Sequence, residues 1–160
     1  LAVASNLEVF RCLQEQVKLL EQAILERVQL RQEFDLLKTV DGIGDILGLT
    51  IALATGDVRR FANAGHYASY CRAVRSARES NGKKKGEGNR KNGNKYLGWA
   101  YVEAANHMIR YSDAGKRFFQ RKLAQRNRAG AVKTTANKPA KACFYIMRDQ
   151  AAYDTKRLFT

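Results

Sequence analysis

Apolar side chains at Phe10, Leu13, Val17, Leu20 and Ile24 recur in alternating steps of three and four, the a/d seam of a coiled helix. The phase then slips: Arg27 takes the next seam position, and Val28 and Phe34 are the apolar residues at hand. Residues 1–40 contain neither Gly nor Pro. The pattern predicts one helix of about ten turns, coiled over its first half. The seam needs a second helix, so residues 1–38 are expected to join copies of the chain into a dimer or higher homo-oligomer, or to close as a hairpin.

The pattern changes in TVDGIGDILGLTIALATGDVRRF. Gly42-Ile43-Gly44 interrupts a helical rhythm that resumes through Ile46, Leu47, Leu49, Ile51 and Leu53, until Gly56 and Asp57 stop it. Helix, Gly-apolar-Gly turn and second helix form a helix-hairpin-helix pattern over about residues 39–56. Such a turn lets backbone N–H groups approach a phosphate at the positive end of a helix, or serves packing alone. Next comes a short helix, capped by Asn63, with Tyr67, Tyr70, Cys71 and Val74 sharing a face. A central helix follows, with Leu97, Tyr101, Ala104, Met108 and Tyr111 as its stripe and His107 packed. An amphipathic helix through Phe118, Phe119 and Leu123 comes after it. The last helix has Ala142, Cys143, Ile146 and Met147 inside, and Pro139 fits only its first turn. The fold class is all-α: a long coiled helix over 1–38, then a small helical domain over 39–160.

Between the short and central helices lies SARESNGKKKGEGNRKNGNK, residues 76–95, with no apolar residue but Ala77. Arg78, Lys83, Lys84, Lys85, Arg90, Lys91 and Lys95, with Arg75 at its edge, face only Glu79 and Glu87. A segment so composed cannot bury itself. It is expected to be a flexible loop or a pair of loosely held ribbons, ordering on a ligand.

Charge makes that ligand a polyanion. Residues 1–40 carry five Lys or Arg against six Asp or Glu, whereas the remaining 120 carry 24 against nine, net +15. Phosphate backbones neutralise such an excess. A membrane surface would want an apolar-faced basic helix rather than a Gly- and Asn-rich run. No apolar stretch approaches the ~20 residues of a membrane span, and no basic start leads into an apolar run as in a signal peptide. Cys12, Cys71 and Cys143, odd in number and far apart, read as reduced thiols of a cytoplasmic protein. The chain begins at Leu1 rather than Met, which we read as a fragment of a longer protein.

No CxxC, HxxxH or acidic cluster suggests a metal site, and GKKKGEGNRK lacks the order of a phosphate loop. The hydroxyls near the basic segment are Ser76, Ser80 and Tyr96. Ser80 stands where helix gives way to cations, which could stabilise an alkoxide-like attacker and a pentacoordinate phosphate; a serine there is also an ordinary cap or turn residue.

The order of these pieces resembles a known family. The glycine turn with its second helix, ES-G in a basic loop, GNKYLGWAYVEAA, and ANK-AKACFYIMRDQAAYD resemble the C-terminal domain of DEDD-type insertion-sequence transposases. This is the insertion-sequence 110 group, relatives of the Piv invertases. The resemblance spans about residues 37–157. It implies a RuvC-like nuclease domain outside this chain, holding divalent metal such as Mg, so that this fragment alone is inactive and carries no cofactor. It also implies DNA strand cleavage and exchange guided by a structured RNA, and a serine that attacks DNA covalently. The matching serine is Ser80, in Glu79-Ser80-Asn81-Gly82, with Asn81 where the family commonly has glycine and Ser76 as the outside candidate. The family's basic-Gly-Asn element matches Lys91-Asn92-Gly93-Asn94-Lys95, while Pro139 departs from its pattern. The nucleic-acid contacts expected are Gly42, Ile43, Gly44, Arg78, Lys83, Lys84, Lys85, Arg90, Lys91, Asn94 and Lys95. The competing function is a non-catalytic helix-hairpin-helix module that only binds nucleic acid.

Overall fold

A computed structural model of the chain describes residues 2–28, 32–74, 77–87, 92–152, 154 and 158–159. The class is all-α, as expected. Seven α-helices among the described residues form the molecule, and one two-stranded hairpin is inserted between them.

Helix α1, Ala2–Val28, lies with its seam bare: Phe10, Leu13, Val17 and Leu20 are all more than half exposed. It touches the body at α3, Asp45–Thr55. Helix is described again over α2, Gln32–Leu37, so the described part of 1–37 is helical on both sides of the point where the seam's phase slips. Phe34 and Leu37 are fully buried, and α2 packs on α3 and on α7, Arg128–Asp149. Residues 32–37 thus pack with the helical body. Residues 29–31 lie outside the described set.

A 3-10 turn at Val58–Arg60 leads into α4, Ala64–Tyr70, where Asn63 Oδ1 accepts the His66 N–H at 3.0 Å, the cap its position announced. At the centre stands α5, Lys95–Tyr111, which packs against α3, α7 and α6, Asp113–Leu123. Its buried stripe is Leu97, Ala100, Tyr101, Ala104, Ala105 and Met108. Three alanines there let neighbouring helix backbones come close. The stripe ends one turn earlier than expected, since Tyr111 is 74% exposed and stacks on an exposed His107, ring centroids 4.6 Å apart.

Pro139 sits mid-helix in α7, not in its first turn. Proline lacks the N–H that would reach the Thr135 carbonyl, a defect worth about 3 kcal/mol in an exposed helix. Here Pro139 is buried, as are Thr135, Ala136, Ala140 and Cys143, and α7 packs on α2, α4, α5 and α6. Tertiary burial outweighs the local penalty. At the core's centre a hydroxyl chain runs from Thr55 to Tyr67 at 2.8 Å and on to Tyr101 at 2.7 Å. Burial pushes Cys71 and Cys143 up to about 12 and both tyrosines well above the ordinary phenol, so these thiols are protonated and inert, whereas Cys12 is exposed.

The turn between α2 and α3 uses its two glycines differently. Gly42 has φ +82°, and a Cβ there would lie 2.7 Å from the Ala104 carbonyl oxygen of α5. Gly44, at the N-cap of α3, faces open space. Gly42→Ala should therefore cost roughly 2 kcal/mol or more in urea unfolding. Gly44→Ala should stay within about 1 kcal/mol of the parent. Equal costs would contradict this division of roles.

Candidate nucleic-acid interface

The cationic segment is folded at its tip. Strands β1, Ala77–Ser80, and β2, Lys83–Glu87, pair antiparallel around Asn81-Gly82. Asn81 (φ 54°) and Gly82 (φ 68°) both take left-handed conformations, as a type I′ two-residue hairpin demands. Asn-Gly between strands is the strongest short hairpin signal, and it was present in the sequence. In the ladder Ser80 pairs with Lys83, Glu79 with Lys84 and Arg78 with Gly86, which leaves Lys85 as the extra residue of a bulge.

Ser80 is thus the last residue before the turn, exposed, with exposed Lys83 directly opposite. Facing residues in such a pair have Cβ atoms about 5 Å apart, within reach of a lysine over one phosphate. The backbones of Arg78, Lys84 and Lys85 belong to the same hairpin. Ser76, Arg90 and Lys91 lie outside the described residues.

The root of the hairpin is tied to the helical body. The Asn94 N–H donates to the Tyr70 carbonyl at 2.8 Å, and Gly93 lies against that same carbonyl. Arg72, itself left-handed at φ 56°, donates from Nε to the Asn92 carbonyl at 3.1 Å and from Nη2 to the Gly93 carbonyl at 3.0 Å. The Asn94 side chain caps α5, accepting from the Tyr96 and Leu97 N–H groups. Its role here is to hold the frame, and Lys95 beside it is exposed with its ammonium 4.9 Å from the Tyr96 ring centroid.

The glycine turn presents little to a ligand. Ile43 is buried in the core and Gly42 abuts α5, so Gly44 is the outward member. The first turn of α3 behind it carries Asp45, whose carboxylate meets Lys38 Nζ at 2.7 Å. A phosphate arriving there would meet a carboxylate already in place.

A second cationic surface has no counterpart among the residues expected from the sequence. On α6 and α7, Lys138 is pushed below the usual lysine range, first by burial and then by Lys141, Lys122 and Arg121. Lys122 and Lys138 each lie about 5 Å from the centre of the Phe118 ring. Arg121, Lys122 and Lys138, from two helices, converge on the Phe118 ring with the charge of Lys141 acting on Lys138 beside them, a crowding that a polyanion relieves. The i, i+3 spacing of Lys138 and Lys141 marked one half of it; pairing with α6 needed the fold.

Among the described residues no group of three or more His, Cys, Asp or Glu could hold a metal ion. Nor is any helix among them long and apolar enough to cross a membrane. A family model described as Transposase IS116/IS110/IS902 family matches residues 34–120, more than half of the chain, from α2 through the hairpin into α6. No curated protein matches it.

If the hairpin and the α6–α7 cations neutralise phosphates, affinity of the chain for a short DNA duplex should fall by roughly 100-fold or more between about 50 and 200 mM salt. Fluorescence anisotropy reads this directly. Affinity indifferent to salt would contradict the electrostatic assignment.

Proposed function

The chain belongs to the IS116/IS110/IS902 family of transposases, whose substrate is DNA, and we propose that it supplies the serine that opens and rejoins the DNA strand. The observation that carries this reading is the position of Ser80: exposed, at the sharp tip of a cation-rich hairpin, opposite Lys83 and inside the family match. In the step proposed, Ser80 Oγ gives up its proton and bonds to the phosphorus of a phosphodiester. The bond from phosphorus to one deoxyribose oxygen breaks, and that oxygen leaves with a proton. The serine-linked diester keeps the bond energy, so a hydroxyl of a second strand reverses the step and joins the new partner. Lys83 and its hairpin neighbours stabilise the charge gathering on the pentacoordinate phosphate.

The finer parts rest on the family resemblance. Divalent metal belongs to a RuvC-like nuclease domain outside this chain, and this chain alone does not complete the reaction. A structured guide RNA is the second polyanion, for which the α6–α7 cations offer a surface on elements other than the hairpin. Copies of the chain associate through α1, whose bare seam carries Phe10, Val17 and Ile24 at one core position and Leu13 and Leu20 at the other, β-branched residues against leucine in its last heptads being a choice that favours two strands.

Ser80→Ala should leave DNA affinity within about twofold and remove strand exchange by the complete transposase. Exchange at the parent rate would take Ser80 out of the mechanism and leave a binding module. For α1, light scattering of the chain should give twice the chain mass, and Leu13→Asp with Leu20→Asp should halve it. A parent chain of single mass would remove the coil assignment.

A further inference from the structure

Between α5 and α7 lies a cleft of about 800 Å³, in the size range of small-ligand sites. Its lining contains none of the hydroxyls considered above. Lys95, Trp99, Val102 and Asn106 line it from α5 at steps of four, three and four, which places them on one helix face. From α7 come Arg128, Val132 and Lys133, at that helix's N-terminal end, where the macrodipole is positive. Arg72 completes the rim.

The lining has a definite chemistry. Trp99 is 48% exposed, an indole left open between the two helices, whereas the leucine, alanines, tyrosine and methionine of the buried α5 stripe are packed away. Val102 and Val132 make apolar walls, and Asn106 offers an amide with both donor and acceptor. Four cations surround these groups and the lining contains no carboxylate. A ligand matching this set has a flat ring for the indole, polar edge atoms for the amide and negative charge for the rim. Arg72 also holds the Asn92 and Gly93 carbonyls at the hairpin root, so the cleft opens beside the place where the hairpin leaves the body.

We propose that this cleft takes one unpaired nucleotide of the polynucleotide the protein binds, its base stacked on Trp99 and its flanking phosphates held by Arg128, Lys133 and Lys95. A paired base has both faces covered by its neighbours, so the site selects a nucleotide that has left the stack. Asn106 reads the base edge. The inference rests on the nucleic-acid reading above and adds a single-strand site separate from the hairpin.

Trp99 is the one tryptophan of the chain, so indole emission reports this cleft alone. Oligothymidylate and oligouridylate should each be titrated against the 160-residue chain beside a blunt DNA duplex, with binding followed independently by anisotropy. Quenching by either single strand and not by the duplex is expected, and the stronger of the two assigns the site to DNA or RNA. Trp99→Ala should weaken single-strand binding by roughly 5- to 100-fold, the share carried by base–aromatic stacking, with duplex affinity unchanged and most of the loss restored by Trp99→Phe. Single strands that bind while Trp99 emission stays constant would overturn the cleft assignment and leave the nucleic-acid reading standing. Binding of no nucleic acid would overturn that reading itself. The titration of the unaltered chain decides the matter even if Trp99→Ala fails to fold.

Discussion

One residue, through its backbone and its amide side chain, joins three helices at the point where the cationic hairpin meets the body. Asn94 donates from its backbone N–H to Tyr70 at the end of α4 and accepts from two N–H groups at the start of α5. Its Nδ2 reaches the Ala54 carbonyl near the end of α3 at 3.4 Å. Arg72 adds two bonds to the adjoining carbonyls. A hairpin whose one apolar residue is Ala77 has no core of its own, and two isolated strands are marginal in water.

The same arrangement separates two needs that conflict. A net charge of +14 works against compactness, so the body excludes charge from its interior. Its fully buried positions are apolar, small or hydroxylic, with Thr55, Tyr67 and Tyr101 satisfying one another. Among the described residues no buried side-chain polar atom lacks a partner. The cations ride on the hairpin, on the outer faces of α6 and α7 and around the α5–α7 cleft. Repulsion there is what a phosphate chain relieves.

Most of the helical frame was legible because its signals are local. Periodicity located the central helix and the amphipathic α6, and Asn63 announced its cap. Four features were not local. Propensity puts Pro139 in a first turn, and burial against four helices overrides that. Gly42 and Gly44 look equivalent in sequence, yet one faces α5 and the other water. The cleft joins residues near 99 with residues near 130, and the second cationic surface joins α6 to α7, so no single segment displays either. The hairpin is a different lesson: Asn81-Gly82 was readable as a I′ turn, but the surrounding lysines and glycines point to disorder.

The Ser80 hydroxyl is proposed to attack a DNA phosphate. The most direct test is to incubate the complete transposase with its DNA, denature the mixture, digest it with protease and nuclease, and identify by mass spectrometry the residue carrying the nucleotide remnant. The account predicts a denaturation-resistant adduct on Ser80. An adduct on Tyr96 or another residue, or strand exchange that proceeds with no protein-linked DNA, would contradict it.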